Sequence, residues 1–131
     1  MPLTLFRLTE TYAVARLAPD APIPAWATGE LVSITRTEDE LSILAPADPI
    51  PEDVLAERGW RLFGVQGPLP FSMTGVLAEL SSRLADAGIS IFAVSSYDTD
   101  YIATKHDDFE RALAVLEAAG HAVYGRPRDR S

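Results

Sequence analysis

Between residues 74 and 88 apolar positions recur at every fourth residue, Val76, Leu80 and Leu84, with Leu77 and Ala87 beside them. That period predicts a helix with one buried face, and Gly88 supplies its stop signal. On the other face Glu79 and Arg83 stand at i, i+4, a surface pair contributing about 0.2–0.5 kcal/mol. Upstream, residues 60–66 (WRLFGVQ) form a short apolar run closed by Gly67, Pro68 and Pro70, which suits a strand ending in a rigid loop. Downstream, residues 89–96 are β-branched and aromatic, Tyr97-Asp98-Thr99-Asp100 reads as a turn, and residues 101–105 return as the second strand of a hairpin. Asp107 and Glu110 have capping-box spacing. Phe109, Leu113 and Leu116 give a second helical stripe, Gly120 ends it, and residues 121–124 form the last strand. The order βαββαβ belongs to the α+β class. It predicts a ferredoxin-like antiparallel sheet with both helices on one face.

The first half reads as a worn copy of the second. A shift of sixty positions aligns Leu31 with Ile91, Val32 with Phe92, Ile34 with Val94, Glu38 with Asp98, Glu40 with Asp100 and Leu41 with Tyr101. Residues 12–17 resemble the strand at 61–66, and Pro19, Pro22 and Pro24 resemble the proline loop. Only residues 25–30 remain for the first helix, about one turn. Residues 51–58 (PEDVLAER) read as a shortened second helix, with Pro51 at an N1-like position and Gly59 at the end. Residues 3–8 are an additional strand that the repeat does not place. The expected division is a degenerate unit over 1–59 and a fuller one over 60–127.

Composition narrows the partners. Nineteen acidic residues against eleven Lys and Arg give a net charge of −8, which disfavours nucleic acid and anionic lipid surfaces. The absence of cysteine excludes disulfides and thiolate chemistry and suits a reducing compartment. No basic leader precedes an apolar run, and polar residues interrupt every window long enough to span a bilayer. A cytoplasmic protein without a membrane partner is expected.

The segments TGVLAELSSRLADAGISIFAVSSYDTDYI (74–102) and GELVSITRTEDELSILAP (29–46) resemble tandem ACT domains, and the likeness covers roughly residues 10–125. Similar pairs occur in small bacterial proteins, in aspartate kinase regulatory regions and in the cytosolic arginine sensor of animals. The resemblance implies units paired side by side, an amino acid held at the seam between units or chains, and a regulatory role without turnover. It also implies a homodimer, because one chain supplies half of the four-unit arrangement. By the same resemblance Thr74, Gly75, Val76, Ser96, Tyr97 and Asp100 line the ligand seam.

The residues make chemical sense of that site. An amino acid needs donors for its carboxylate and acceptors for its ammonium, since unpaired charge in a seam costs several kcal/mol. The N–H groups of Thr74, Gly75 and Val76 open a helix at the positive end of its dipole, and Gly75 has no side chain to block approach. Asp98 and Asp100 offer acceptors, with Ser95 and Ser96 nearby. Plainer roles stand beside these. Aspartates are common in turns, Gly75 is equally a loop residue, and Ser72 or Thr74 is an ordinary N-cap. His106, Asp107 and Asp108 read as an exposed helix start rather than a metal site, and His121 as a partner of the preceding helix C-terminus. Trp26 and Trp60 read as core or seam anchors. Two histidines at helix ends assemble no nucleophile, base and orienting acid, so no enzyme activity, cofactor or metal is expected. The apolar edge strand at 91–96 invites pairing, and a dimer burying more than about 1,000 Å² is expected. The alternative is a protein-interaction adaptor with no metabolite ligand.

Overall fold

A computed structural model describes residues 2–66 and 75–125. Along the chain run β1 (Thr4–Arg7), β2 (Tyr12–Leu17), β3 (Ser33–Arg36), β4 (Leu41–Pro46), β5 (Ala56–Val65), α1 (Val76–Asp86), β6 (Ile91–Ser95), β7 (Asp100–Lys105), α2 (Phe109–Ala118) and β8 (Ala122–Tyr124). They form two compact units, one of residues 10–60 and one of residues 2–9 with 61–125. β5 runs through both, its first half pairing in one unit and its second half in the other.

In the unit of residues 10–60 the strand order is β3-β4-β2-β5, antiparallel throughout. Alternation along β4 turns Leu41, Ile43 and Ala45 to one face, where Leu17, Ala21, Trp26, Ala27 and Val32 cover them. The covering segment is a loop of turns. Arg36 fastens it by donating to the carbonyls of Pro19 and Ala21. Trp26 is therefore a core anchor.

The expected short helix at 51–58 is not formed. Residues 51–54 make a turn closed by the Val54 N–H on the Pro51 carbonyl (3.1 Å), and residues 56–58 already belong to β5. Pairing of Ala56, Glu57 and Arg58 with Ala15, Val14 and Ala13 outweighs the helical punctuation. Gly59 does not stop a helix. It is the extra residue of a β-bulge between the pairs Tyr12–Trp60 and Ala13–Arg58, with φ 87°, a conformation that suits glycine.

The other unit holds the βαββαβ series with one addition. β6 pairs β7, and β7 pairs β5. β8, which the bare series would lay beside β5, is separated from it by β1. β1 runs antiparallel to β5 (Leu5 opposite Val65) and parallel to β8 (Leu5 opposite Val123). The segment at 3–8 is thus an inner strand. Leu3, Leu5, Phe63, Val65 and Ile102 face both helices and pack against Val76, Leu80 and Leu84 of α1 and Phe109, Ala112, Leu113 and Leu116 of α2. Both helical stripes read from the sequence are buried. The opposite sheet face carries Phe6 and Tyr101, whose rings meet edge to face at 6.2 Å over Gly64.

The capping box at Asp107 and Glu110 is not formed. A 3-10 turn, His106–Asp108, leads into α2 with no side-chain cap, and Glu110 instead accepts from Arg7 at 2.6 Å. Among the described residues no helix is long and apolar enough to cross a membrane.

Candidate functional site

Gly75 stands at the N-cap of α1 with a left-handed backbone (φ 85°), and among the described residues no side chain caps the helix. The first intrahelical bond is Glu79 N–H to the Gly75 carbonyl (2.8 Å), so the N–H groups ahead of it have no intrahelical acceptor. Beside this turn lies a recess of about 440 Å³ bounded by Pro2, Gly75, Glu79, Arg83, Gly120 and His121.

Three side chains give the recess its polarity. His121 is buried, and its Nδ1 accepts the Leu3 backbone N–H at 3.0 Å. An amide can only donate, so Nδ1 carries no proton and Nε2–H points at Glu79 Oε2, 2.9 Å away. Arg83 Nε donates to the same oxygen at 3.0 Å. The His121 hydrogen bond first, then that of Arg83, holds the Glu79 carboxyl below its ordinary range. A carboxyl lowered in the folded chain contributes stability above its ordinary value of 4.5, and this is lost as pH falls through the folded value. The gap in melting temperature between wild type and Glu79→Gln is therefore expected to be present above pH 4.5 and to close as acid takes the pH below it. A gap unchanged by acid would show that the carboxylate is not held there.

The sequence did not find this cluster. Glu79 and Arg83 read as a surface pair, and His121 as a partner of the helix end. Only the His121 backbone meets that end, through its N–H to the Leu116 carbonyl (3.1 Å), while the ring turns to β1 and α1. Nothing in local spacing signals a contact between Glu79 and His121.

The residues expected to bind ligand are distributed as follows. Thr74 lies outside the described residues, as do Phe71, Ser72 and Met73. Gly75 borders the recess. The Val76 side chain is core, which leaves its backbone N–H for any ligand. Ser96, Tyr97 and Asp98 lie in the β6–β7 turn and Asp100 opens β7. Tyr97 is 79% exposed. Asp100 Oδ1 accepts from Ser95 Oγ at 2.6 Å, while the Ser96 hydroxyl pairs within the turn with Thr99. Thr99, which sequence reading passed over, is buried and donates from Oγ1 to the Val65 carbonyl at 2.6 Å. This bond ties the turn to the end of β5 from which the chain leads to α1. The recess at Gly75 is bounded by neither Asp98 nor Asp100. His106 is exposed and its Nδ1 lies 3.5 Å from Asp107, and no group of side chains among the described residues is arranged to hold a metal.

The fold is matched by known proteins. The ACT domain model matches residues 55–118, and a second family model, described as an N-terminal domain, matches residues 10–53. The Agobacterium tumefaciens protein Atu0741 is 41% identical over 98% of this chain and 96% of its own, with a TM-score of 0.89. A Vibrio cholerae protein of unknown function, described as a possible transport protein, is 17% identical with a TM-score of 0.74, covering 88% of each chain. Aspartate kinase from Synechocystis superposes with a TM-score of 0.66 at 18% identity, covering 99% of this chain and 28% of the kinase. None of the curated proteins matches the sequence. The class is that of α+β proteins with an ACT domain. The chain belongs to the ACT-domain family.

Proposed function

We propose that this chain is an amino-acid-binding regulatory module of the cytoplasm that acts without turnover and works as a homodimer, with the ligand at a seam completed by a second copy. The observation that carries the reading is the glycine-opened start of α1, which no described side chain caps, in an ACT fold. Backbone N–H groups at Thr74, Gly75 and Val76 receive the ligand carboxylate, aided by the helix dipole. Asp98 and Asp100 receive the ammonium, with Ser96 and Tyr97 flanking. The Thr99 bond to Val65 supports this pairing, because it anchors the acidic turn where β5 departs toward α1. The apolar edge strand β6, which pairs β7 alone among the described strands, supports association with a second copy.

A ligand of about ten heavy atoms at roughly −0.5 to −0.8 kcal/mol per atom would bind with about −5 to −8 kcal/mol, in the micromolar range. A thermal-shift screen of the twenty amino acids is expected to find one or more that raise the melting temperature, and Asp100→Ala is expected to abolish that rise while the protein stays folded. A flat response to all twenty at millimolar concentration would overturn the reading in favour of an adaptor. Full affinity in Asp100→Ala would remove that residue from the site.

A further inference from the structure

We propose that His121 is a proton-operated latch that ties the start of β1 to α1 and lets go of β1 when it takes up a proton. The latch consists of the partners around one buried ring. Nδ1 is occupied by the Leu3 N–H at 3.0 Å, and Nε2 faces Glu79 Oε2 at 2.9 Å. In the neutral form with hydrogen on Nε2 both contacts are satisfied, one as acceptor and one as donor. Turning the ring over would set a carbon against the Leu3 amide, so the arrangement selects one tautomer and one orientation.

Protonation places a hydrogen on Nδ1. Two donors then face each other across 3.0 Å, and the Leu3 amide loses its acceptor. The other contact moves the opposite way, because a neutral donor to Glu79 becomes an imidazolium paired with a carboxylate. The proton thus transfers the ring's allegiance from β1 to α1.

Among the described residues the ring's side-chain nitrogens meet the Leu3 amide, just ahead of β1, and Glu79 of α1. α1 contributes Glu79 and, behind it, Arg83, of opposite sign. β1 contributes only backbone at this point. α2 contributes the end of its final turn, whose carbonyls carry partial negative charge. The proton also adds one positive charge to the recess beside Gly75, so acid would both loosen the strand and draw anions to that turn. The inference concerns the ring and its partners, and it stands whether or not an amino acid binds.

Nitrogen-15 NMR on the full chain tests it. At neutral pH the His121 ring is expected to show the Nε2–H tautomer. The exchange protection of the Leu3 amide, corrected for intrinsic rates, is expected to fall about tenfold as the ring titrates. His121→Asn, whose carbonyl accepts from Leu3 at any pH, is expected to show no such step. A neutral ring with hydrogen on Nδ1, or Leu3 protection that holds through the titration of the ring, would overturn the latch. These wild-type measurements decide the matter even if the variant does not fold.

Discussion

Phe109→Ala is expected to destabilise the chain by about 3–5 kcal/mol, read as a shift in urea midpoint at unchanged slope. The ring is 1% exposed and sits among the residues of α1, α2 and the sheet. It also seats a cation. The Arg61 guanidinium lies 4.4 Å from the ring centroid while donating to the Leu8 carbonyl at 3.2 Å, and Arg7 stands 5.9 Å from the same centroid. Alanine would leave both a cavity and a half-buried guanidinium stripped of its aromatic face. Phe109→Leu, which keeps most of the volume, is expected to cost less, and the difference between the two isolates cavity from cation seat. A loss below about 1 kcal/mol for the alanine variant would show that the surroundings collapse into the space or that the ring is not core.

Gly29→Ala is the second large effect expected, about 2–5 kcal/mol, the sum of backbone strain and overpacking. At φ 145° the residue holds a conformation that side chains rarely adopt, and a Cβ there would stand 2.4 Å from Pro46 Cγ and 2.9 Å from Cδ. The obstacle is a proline ring in a buried strand end, which has little room to yield. At Gly64 a Cβ would meet Phe6 Cζ at 2.6 Å and Tyr101 Cε2 at 2.8 Å. Those are ring atoms of side chains, and Gly64 lacks the positive φ of Gly29, so Gly64→Ala is expected to cost less than Gly29→Ala. The reverse order in parallel denaturation curves would show that the Gly29 segment shifts freely.

Much of this architecture is written locally. The stripes of α1 and α2 and the β6–β7 hairpin follow from residue periodicity, because each buries its apolar positions against a single layer. What the sequence hides is decided by partners distant along the chain. Residues 51–58 carry helix punctuation and become turn and strand because β2 offers a register to pair with. Glu110 has the spacing of a cap and is taken by Arg7 instead. The site divides in the same way. Gly75 was legible as the opening of α1, whereas Glu79 with His121 was not, since one side chain comes from α1 and the other from the residue that leads into β8, 42 positions along the chain.

That added strand also sets a timetable. β1 is synthesised before both of its neighbours, β5 and β8, and β8 follows β5. Closing so long a loop is slow, and residues 10–60, whose contacts are contiguous, are free to condense while it waits. β1 therefore becomes the wedge seated between β5 and a strand made well after it, so that cutting residues 4–7 away would open the middle of a sheet rather than trim its fringe.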